Sequence, residues 1–221
     1  MKNYYIVLDT ETANGLDDPL TYDVGFAVID KKGNIYETHS YIIKDIFMYM
    51  PDLMQTAYYA NKIPNYITDL NAGTRQLKTF FEVRCIIIDI MQRYNIKAVM
   101  AHNARFDIKA LNTTIRYITK SRIRYFFPYN TNIWCTLAMA RTTIGKQKTY
   151  INWCKKNNYL TKNGRVRLTA EILHRYLTLD NDFKESHTGL EDVLIEKDIF
   201  VRCERQHKKM NKTYWKIKEA V

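Results

Sequence analysis

The first 43 residues carry the apolar pattern of three consecutive β-strands. A near-continuous apolar run at residues 4–8 predicts a buried strand. Two further runs, at residues 22–29 and 35–43, are separated by the turn sequence Lys32-Gly33-Asn34. Because short apolar runs joined by turns are typical of antiparallel strands, we expect a β-meander at the start of the chain.

Beyond residue 50, apolar residues recur mostly with the spacing of helices. This spacing predicts helices at residues 52–60, 75–94 and 104–117, and a strand at residues 97–101 between the last two. Strands that alternate with helices indicate an α/β domain with a mixed central sheet flanked by helices.

Two carboxylates follow the first predicted strand. Asp9 and Glu11 lie in the sequence Leu8-Asp9-Thr10-Glu11-Thr12. Side chains alternate along a strand, so these two share a face, roughly 7 Å apart along the backbone. Two such carboxylates can flank a pair of metal ions about 4 Å apart. The alternative is an ordinary strand end followed by a polar turn.

A third carboxylate follows the strand at residues 97–101. His102 and Asn103 form a predicted turn, and Asp107 then lies in the first turn of the helix at residues 104–117. The helix dipole favours an anion at that position. Taken alone, Asp107 is equally well explained as a helix-start carboxylate.

The sequence His187-Thr188-Gly189-Leu190-Glu191-Asp192 predicts the start of another helix. Thr188 is the expected N-cap, with Glu191 three residues later completing a capping box. His187 then lies just before the helix and Asp192 one turn inside it; the alternative for His187 is a surface residue. The expected buried face consists of Leu190, Val193, Leu194, Ile199 and Phe200.

These three motifs together supply four carboxylates and one histidine. Carboxylate oxygens are ligands for hard cations, and histidine is a general base near neutral pH. The set can therefore hold two cations and activate a water for hydrolysis of a phosphodiester. Because three motifs occur together in this order, chance is a poor explanation.

The motifs Asp-x-Glu, Asn-x-x-x-Asp and His-x-x-x-x-Asp resemble those of the DEDDh-type 3'-to-5' exonucleases. That family includes the proofreading subunit of bacterial DNA polymerase III and ribonuclease T. The likeness covers residues 4–205, includes the strand-to-helix segment 134–141, and looks closest to stand-alone bacteriophage exonucleases.

The resemblance implies a ribonuclease H-like exonuclease fold, two Mg2+ or Mn2+ ions and release of nucleoside 5'-monophosphates. It also implies the role of each motif residue. The implied metal ligands are Asp9, Glu11, Asp107 and Asp192, the implied base is His187, and the implied contacts to the terminal nucleotide are Thr10, Thr12, Asn103 and Phe106.

Two segments depart from the family pattern. Thr12 is followed by Ala13-Asn14-Gly15 rather than directly by glycine, and residues 157–186 are longer than the common form. Neither departure removes a catalytic group, so both bear on substrate preference rather than on chemistry.

The formal net charge of +11 indicates a polyanionic partner. The chain also has 17 tyrosines, and aromatic rings stack on unpaired bases. Together with the family resemblance, this composition favours single-stranded DNA as the substrate. An RNA-directed exonuclease of the same fold and a catalytically silent nucleic-acid-binding relative are the alternatives. Codon usage in an AT-rich genome is another explanation of the composition.

The motifs lie within residues 1–205, which we expect to form one catalytic domain. The lysine-rich residues 206–221 are expected to form a basic helical extension. In that helix Lys208, Lys212 and Lys216 would form one stripe that contacts nucleic acid, or else a solvated face.

Nothing in the sequence indicates a signal peptide or a membrane span, and nothing points to a polymerase partner, although sequence alone does not exclude one. The four cysteines lack metal-ligand spacing and suit a reduced protein in the cytoplasm of a bacterial or phage-infected cell.

Overall fold

The computed structural model describes residues 2–217 and contains one mixed sheet. Strands β1 to β3 pair antiparallel, as predicted, and β5 and β6 extend the sheet parallel to β1. The order across the sheet is β4-β3-β2-β1-β5-β6-β7. The strands within residues 2–217 are β1 (Tyr4–Ala13), β2 (Leu20–Asp30), β3 (Ile35–Ile43), β4 (Gln76–Lys78), β5 (Ala98–Ala101), β6 (Asn132–Cys135) and β7 (Thr213–Lys216).

Helices cover both faces of this sheet. Two short 3-10 helices lie at Ala60–Lys62 and Ile144–Lys146. None of the helices in the described residues is long and apolar enough to cross a membrane. The α-helices of residues 2–217 are α1 (Lys44–Phe47), α2 (Pro51–Met54), α3 (Ile63–Ala72), α4 (Phe80–Arg93), α5 (Ala104–Ile118), α6 (Thr136–Thr142), α7 (Lys148–Lys156), α8 (Ala170–Thr178) and α9 (Gly189–Glu204).

Side chains alternate along β1 into two hydrophobic cores. Ile6 and Leu8 are buried in the core that contains α4 and α5. Tyr5 and Val7 are buried in the opposite core, with α8 and α9. Each core therefore takes every second residue of the strand, as the pleat requires.

The same alternation places the first motif. Strand β1 continues through the motif to Ala13, with a register shift between Glu11 and Thr12, so the polar residues lie within the strand rather than after it. Asp9 and Glu11 continue the alternate series of Tyr5 and Val7. The pleat therefore directs them toward the face that α9 covers.

The predicted helix at residues 75–94 is too long at its start. Gln76–Lys78 pairs in parallel with β3 as strand β4. Thr79 then forms a capping box with Glu82, which begins α4 at Phe80. The local cap and the pairing to β3 together override the helical spacing of the first residues.

Residues 52–60 do not form the single helix that their spacing predicts. Helix α2 ends at Met54, and the amide of Thr56 bonds to a carbonyl three residues back rather than four. The apolar residues of this segment instead mark where a turn packs on the core, since Met54 and Ala57 are buried.

The C-terminal segment is also different from its prediction. The predicted helix at residues 206–221 is wrong in the described part, because residues 213–216 form β7, antiparallel to β6; residues 218–221 lie outside the described residues. Ile217 is fully buried and Trp215 packs edge-on against Tyr125, so packing favours an extended chain here. Without a helix, the predicted lysine stripe does not form.

One backbone contact fixes helix α9 on the sheet. A Cβ added at Gly25, in β2, would lie 2.1 Å from the carbonyl carbon of Gly189, the first residue of α9. A Cβ added at Gly189 would lie 2.6 Å from the amide nitrogen of Gly25. Only glycine at both positions permits this close approach of helix and strand.

We therefore expect Gly25→Ala to lower the free energy of unfolding by at least about 3 kcal/mol, because its Cβ meets backbone that cannot rotate away. Urea denaturation measures the change. Gly15→Ala is the matched control: its φ of +69° is strained for alanine, but nothing lies within 4 Å of the new Cβ. It should cost only about 1–2 kcal/mol. Equal destabilisation of the two variants would contradict the close packing at Gly25.

Candidate metal and catalytic centre

Three carboxylates from two elements meet in one cleft. Asp9 and Glu11 come from β1, and Asp192 comes from the first turn of α9. One oxygen of each lies within 4.8 Å of an oxygen of the other two. Asp9 Oδ2 and Asp192 Oδ1 are buried and form no hydrogen bond with any described residue. The structure thus brings together the first and third sequence motifs.

Asp107 approaches from helix α5. It is buried, and its Oδ1 accepts a hydrogen bond of 3.0 Å from the hydroxyl of Thr10. Thr10 lies between Asp9 and Glu11 in the sequence and is itself buried. The hydroxyl predicted to contact substrate therefore positions Asp107 beside the first motif.

The N-terminus of α9 is held by a residue that sequence analysis did not identify. Thr188 is the N-cap residue, as predicted, but its side chain makes no capping bond, so the predicted capping box is wrong. Asp23 Oδ2 instead accepts a 3.0 Å hydrogen bond from the amide of Gly189. Glu191 Oε2 accepts hydrogen bonds from the hydroxyl of Thr188 and, at 2.9 Å, from the guanidinium of Arg75, so it does not reach the N-cap amide.

Arg75 and Tyr66 complete the environment of Asp23. The fully buried Asp23 carboxylate accepts 2.9 Å and 3.3 Å hydrogen bonds from the Tyr66 hydroxyl and the Arg75 guanidinium. Arg75 also binds Asp69 of α3 at 3.0 Å. Buried charges are stable only when paired and hydrogen-bonded. This cluster therefore ties β2, α3 and α9 together at the edge of the cleft.

His187 lies in a strained turn just before α9. Its φ of 50° is in the left-handed region, which only a few non-glycine residues adopt. Its ring stacks on Tyr59 with 4.4 Å between centroids and 12° between planes. The ammonium of Lys62 donates to the carbonyl oxygens of Ser186 and His187. The predicted base is therefore braced by the segment around residue 60.

Two acidic residues, Glu185 and Glu171, are neighbours of that histidine. The Oε2 of Glu185 lies 3.8 Å from His187 Nδ1, which directs the other ring nitrogen, Nε2, away from it. Burial lowers the pKa of His187 below its ordinary value, and the positive charge of Lys62 adds to the effect. The ring is therefore neutral, and able to accept a proton, at neutral pH.

Two acidic residues of the cleft were missed by sequence reasoning. Glu185 and Glu196 both line the cleft that holds Asp9, Glu11 and Asp192. Glu196 follows Asp192 by four residues on α9, a spacing that puts both side chains on one helix face, and this was the available signal. Glu196 also accepts a 2.9 Å hydrogen bond from the amide of His102, which orients it.

Burial and mutual repulsion oppose ionisation of the cluster. Burial raises the pKa of Glu11 to about 9, that of Asp192 to about 8 and that of Asp107 to about 7. For Asp9, burial raises the pKa well above the ordinary range, and the neighbouring carboxylates raise it further. The cluster therefore binds protons when no cation is present.

These residues fit a divalent cation. Hard cations bind carboxylate oxygens, and the unpartnered Oδ2 of Asp9 and Oδ1 of Asp192 offer free lone pairs beside Glu11. Burial is the main cause of the raised pKa values, and a bound cation would stabilise the ionised carboxylates against both burial and mutual repulsion. Asp9, Glu11 and Asp192 are the residues that would hold it, with Asp107 adjacent through Thr10.

The cleft around the carboxylates has a volume of about 1060 Å³. Asn103 lines it, is exposed and has left-handed backbone, with φ of 66° at the start of α5. Of the other predicted substrate contacts, Thr12 and Phe106 are half-buried, and neither is among the residues lining this cleft. Asn103 is thus the predicted contact that the structure places at the opening.

In EDTA, we expect the melting temperature to fall as the pH rises from about 5 to about 9. Between the ordinary carboxyl pKa of about 4 and the folded values of about 7 to 9, the folded protein binds more protons than the unfolded chain. Its stability therefore decreases as pH rises. Differential scanning fluorimetry measures the trend.

Asp192→Asn removes one of these titrating groups and should make the melting temperature in EDTA depend less on pH. Asp17→Asn, in an exposed turn, should leave that pH dependence unchanged. A melting temperature in EDTA that stays constant or rises over this pH interval would contradict the repulsive cluster.

The fold is similar to those of solved nucleases. The cell-death related nuclease CRN-4 superposes with a TM-score of 0.52 at 11% identity, over 95% of this chain and 66% of that one. Exonuclease I from Methylocaldum szegediense gives 0.58 at 19%, over 93% and 41%. E. coli exonuclease I, in complex with a 5cy-dT13 oligonucleotide, gives 0.58 at 13%, over 94% and 41%. The chain thus spans about two fifths of the exonuclease I chains.

No protein-family model and no curated protein matches the sequence. At identities below 20%, the structural likeness establishes the fold and not the activity. The predicted fold class is confirmed: the chain has the ribonuclease H-like exonuclease fold, with a mixed central sheet flanked by helices.

Proposed function

We propose that this protein is a divalent-cation-dependent 3'-to-5' exonuclease that acts on single-stranded DNA and releases nucleoside 5'-monophosphates. The observation that carries this proposal is the cluster of Asp9, Glu11 and Asp192, with its buried unpartnered oxygens, in one cleft with His187. Nucleases of the same fold, including one bound to an oligonucleotide, support the assignment of the reaction class.

The reaction is hydrolysis of the terminal phosphodiester. A water oxygen attacks the phosphorus of the terminal nucleotide, and the bond from that phosphorus to the 3' oxygen of the penultimate nucleotide breaks. The water proton passes to Nε2 of His187. Two divalent ions held by Asp9, Glu11, Asp107 and Asp192 would supply an activated water and stabilisation of the leaving oxygen. Mg2+ and Mn2+ both suit an all-oxygen ligand set.

The protein's own residues position the reacting groups. Tyr59 and Lys62 fix the turn that carries His187, and Glu185 lies 3.8 Å from its Nδ1, so Nε2 is the nitrogen to which we assign the proton. Asn103 lines the cleft at its opening and would contact the terminal nucleotide. The net charge of +11 favours association with a polyanion.

The four cysteines are free, three of them buried, which suits action in the reducing cytoplasm. The resemblance to bacteriophage exonucleases stays a prediction from the motifs. An RNA-directed enzyme remains the second candidate, because the contact that distinguishes a 2'-hydroxyl is not among the residues assigned above.

The first test is metal-dependent digestion of a 5'-labelled single strand. We expect stepwise shortening from the 3' end in Mg2+ or Mn2+ and no cleavage in EDTA. Asp192→Asn should reduce turnover at least about a thousandfold, because the variant lacks a ligand charge while the shape of the side chain is kept. Gel electrophoresis of end-labelled DNA and RNA, in parallel, measures polarity and sugar preference.

The matched control for this variant is Asp17→Asn, which removes an equal charge from an exposed turn and should retain parental turnover. Cleavage that persists in EDTA would overturn the metal-dependent assignment. Cleavage of a circular single strand would instead identify an endonuclease.

The second test concerns the general base. His187→Asn should reduce turnover by about two to four orders of magnitude. Asparagine is the suitable substitute because it tolerates the left-handed backbone of this position. Parental turnover should rise with pH and level off at a pH below the ordinary pKa of histidine, because burial and the charge of Lys62 lower the pKa of His187. Steady-state kinetics over a pH series provide the measurement.

His207→Asn is the control, because His207 also has left-handed backbone, with φ of 51°, but does not line the cleft. It should behave as the parent. A His187→Asn variant with the parental pH profile would show that another group takes the proton.

A further inference from the structure

The longer segment between α7 and α8 forms a compact hairpin at the cleft. Leu160 and Val166 pair as an antiparallel bridge. The amide of Thr161 donates to the carbonyl of Arg165 at 2.7 Å, and the amide of Arg165 donates to the hydroxyl of Thr161 at 3.1 Å. Gly164, with φ of +70°, makes the turn. We call residues 160–166 the 160–166 hairpin.

The residues that follow this hairpin connect it to the cleft through His102 and Glu196. Just after the hairpin, the carbonyl of Leu168 lies 2.7 Å from Nε2 of His102, whose amide donates to Glu196. The carbonyl of Arg167 accepts a 2.6 Å hydrogen bond from the hydroxyl of Tyr150 in α7. The hairpin is therefore held at a fixed place along the cleft rather than loosely tethered.

Three arginines line the cleft, and one of them, Arg167, donates its Nε hydrogen to the carbonyl of Leu160 at 3.2 Å. The other two come from different elements. Arg165 belongs to the hairpin and Arg141 to α6, and both are exposed. Within residues 2–217, neither side chain forms a salt bridge or a hydrogen bond, whereas Arg75, Arg93 and Arg175 are all paired with carboxylates. Two unpaired arginines thus share one cleft with the carboxylate cluster without neutralising it.

Each arginine is close in sequence to another residue that lines the cleft. Arg165 precedes Leu168 by three residues, so the backbone between them spans at most roughly 10 Å. Arg141 follows Leu137, another lining residue, by one helical turn. The volume of about 1060 Å³ is at the upper limit of the roughly 300–1000 Å³ typical of small-molecule sites, and leaves room for more than one nucleotide.

This distribution of charge suits a chain of phosphates. Cations bound by the carboxylates would neutralise only the phosphate at the reacting end. The next phosphates of the strand lie farther along and need positive charge from the protein, and a guanidinium binds phosphate through paired N–H donors.

We propose that Arg141 and Arg165 bind the backbone phosphates of a single strand behind its terminal nucleotide. The 160–166 hairpin thereby makes the protein prefer strands longer than a dinucleotide. The inference rests on the proposed function for the place of the 3' end, but the phosphate contacts can be measured without cleavage.

The test compares the parent with the double variant Arg141→Gln/Arg165→Gln. Binding of a 5'-fluorescein oligothymidylate of twelve nucleotides is followed by anisotropy in CaCl2 over a series of NaCl concentrations. Removal of one arginine–phosphate interaction reduces the slope of log affinity against log salt by about 0.7. We expect the slope to fall by up to about 1.4, and the dissociation constant at low salt to rise at least about tenfold.

Kinetics in MgCl2 provide an independent measurement. For the twelve-nucleotide strand, the double variant should show a raised KM and a kcat within about twofold of the parental value. For the dinucleotide, both constants should be unchanged, because a dinucleotide has no phosphate that reaches the arginines. This split separates a contact to the strand from a general decrease in folded protein.

The matched control is Arg122→Gln/Arg124→Gln, which removes the same two charges from exposed positions outside the cleft. It should keep the parental slope. An Arg141→Gln/Arg165→Gln variant with the control's slope and KM would overturn the inference, and so would a parent that does not bind the oligonucleotide. Arginine-dependent binding without any hydrolysis in MgCl2 would instead overturn the proposed function and leave the phosphate contacts standing.

Discussion

Backbone contact between strand β2 and the first turn of helix α9 sets the distance between the carboxylates. Gly25 and Gly189 meet without side chains, and the amide of Gly189 donates to Asp23 beside them. Strand β1, which carries Asp9 and Glu11, is the neighbour of β2 in the sheet. A helix that stood farther from β2 would take Asp192 out of reach of both. The contact thus converts two separate motifs into one cluster.

That contact is maintained against an electrostatic force. When Asp192 and the carboxylates of β1 are ionised, they repel one another, and the repulsion acts in the direction that would lift α9 from the sheet. Asp23 opposes this repulsion because its carboxylate accepts a hydrogen bond from the first amide of the helix. The same carboxylate is held by hydrogen bonds from Arg75 and Tyr66. Arg75 further reaches Glu191 on the first turn of α9. The hydrogen bonds and ion pairs at this end of the helix therefore hold the carboxylates of the site together.

Much of the fold follows from local patterns, but the supports of the site do not. The alternation along β1 correctly predicts that Asp9 and Glu11 share a face, and the strand-turn-helix pattern correctly places Asp107 in the first turn of α5. Asp23 and Arg75 escaped prediction because their partners are distant in sequence and nothing local marks them. The C-terminal strand escaped it for a related reason: its spacing fits a helix, and only pairing with β6 and burial of Ile217 decide the outcome.

The strand that replaces the expected helix has a consequence for association between molecules. In the sheet formed by the described residues, β4 and β7 are the two edges, and they have only three and four residues. Long exposed edges recruit strands from other chains and promote aggregation. By covering β6, strand β7 leaves a short edge with the charged Lys216 on it. Short edges of this kind thus disfavour edge-to-edge pairing between the sheets of two copies of the protein.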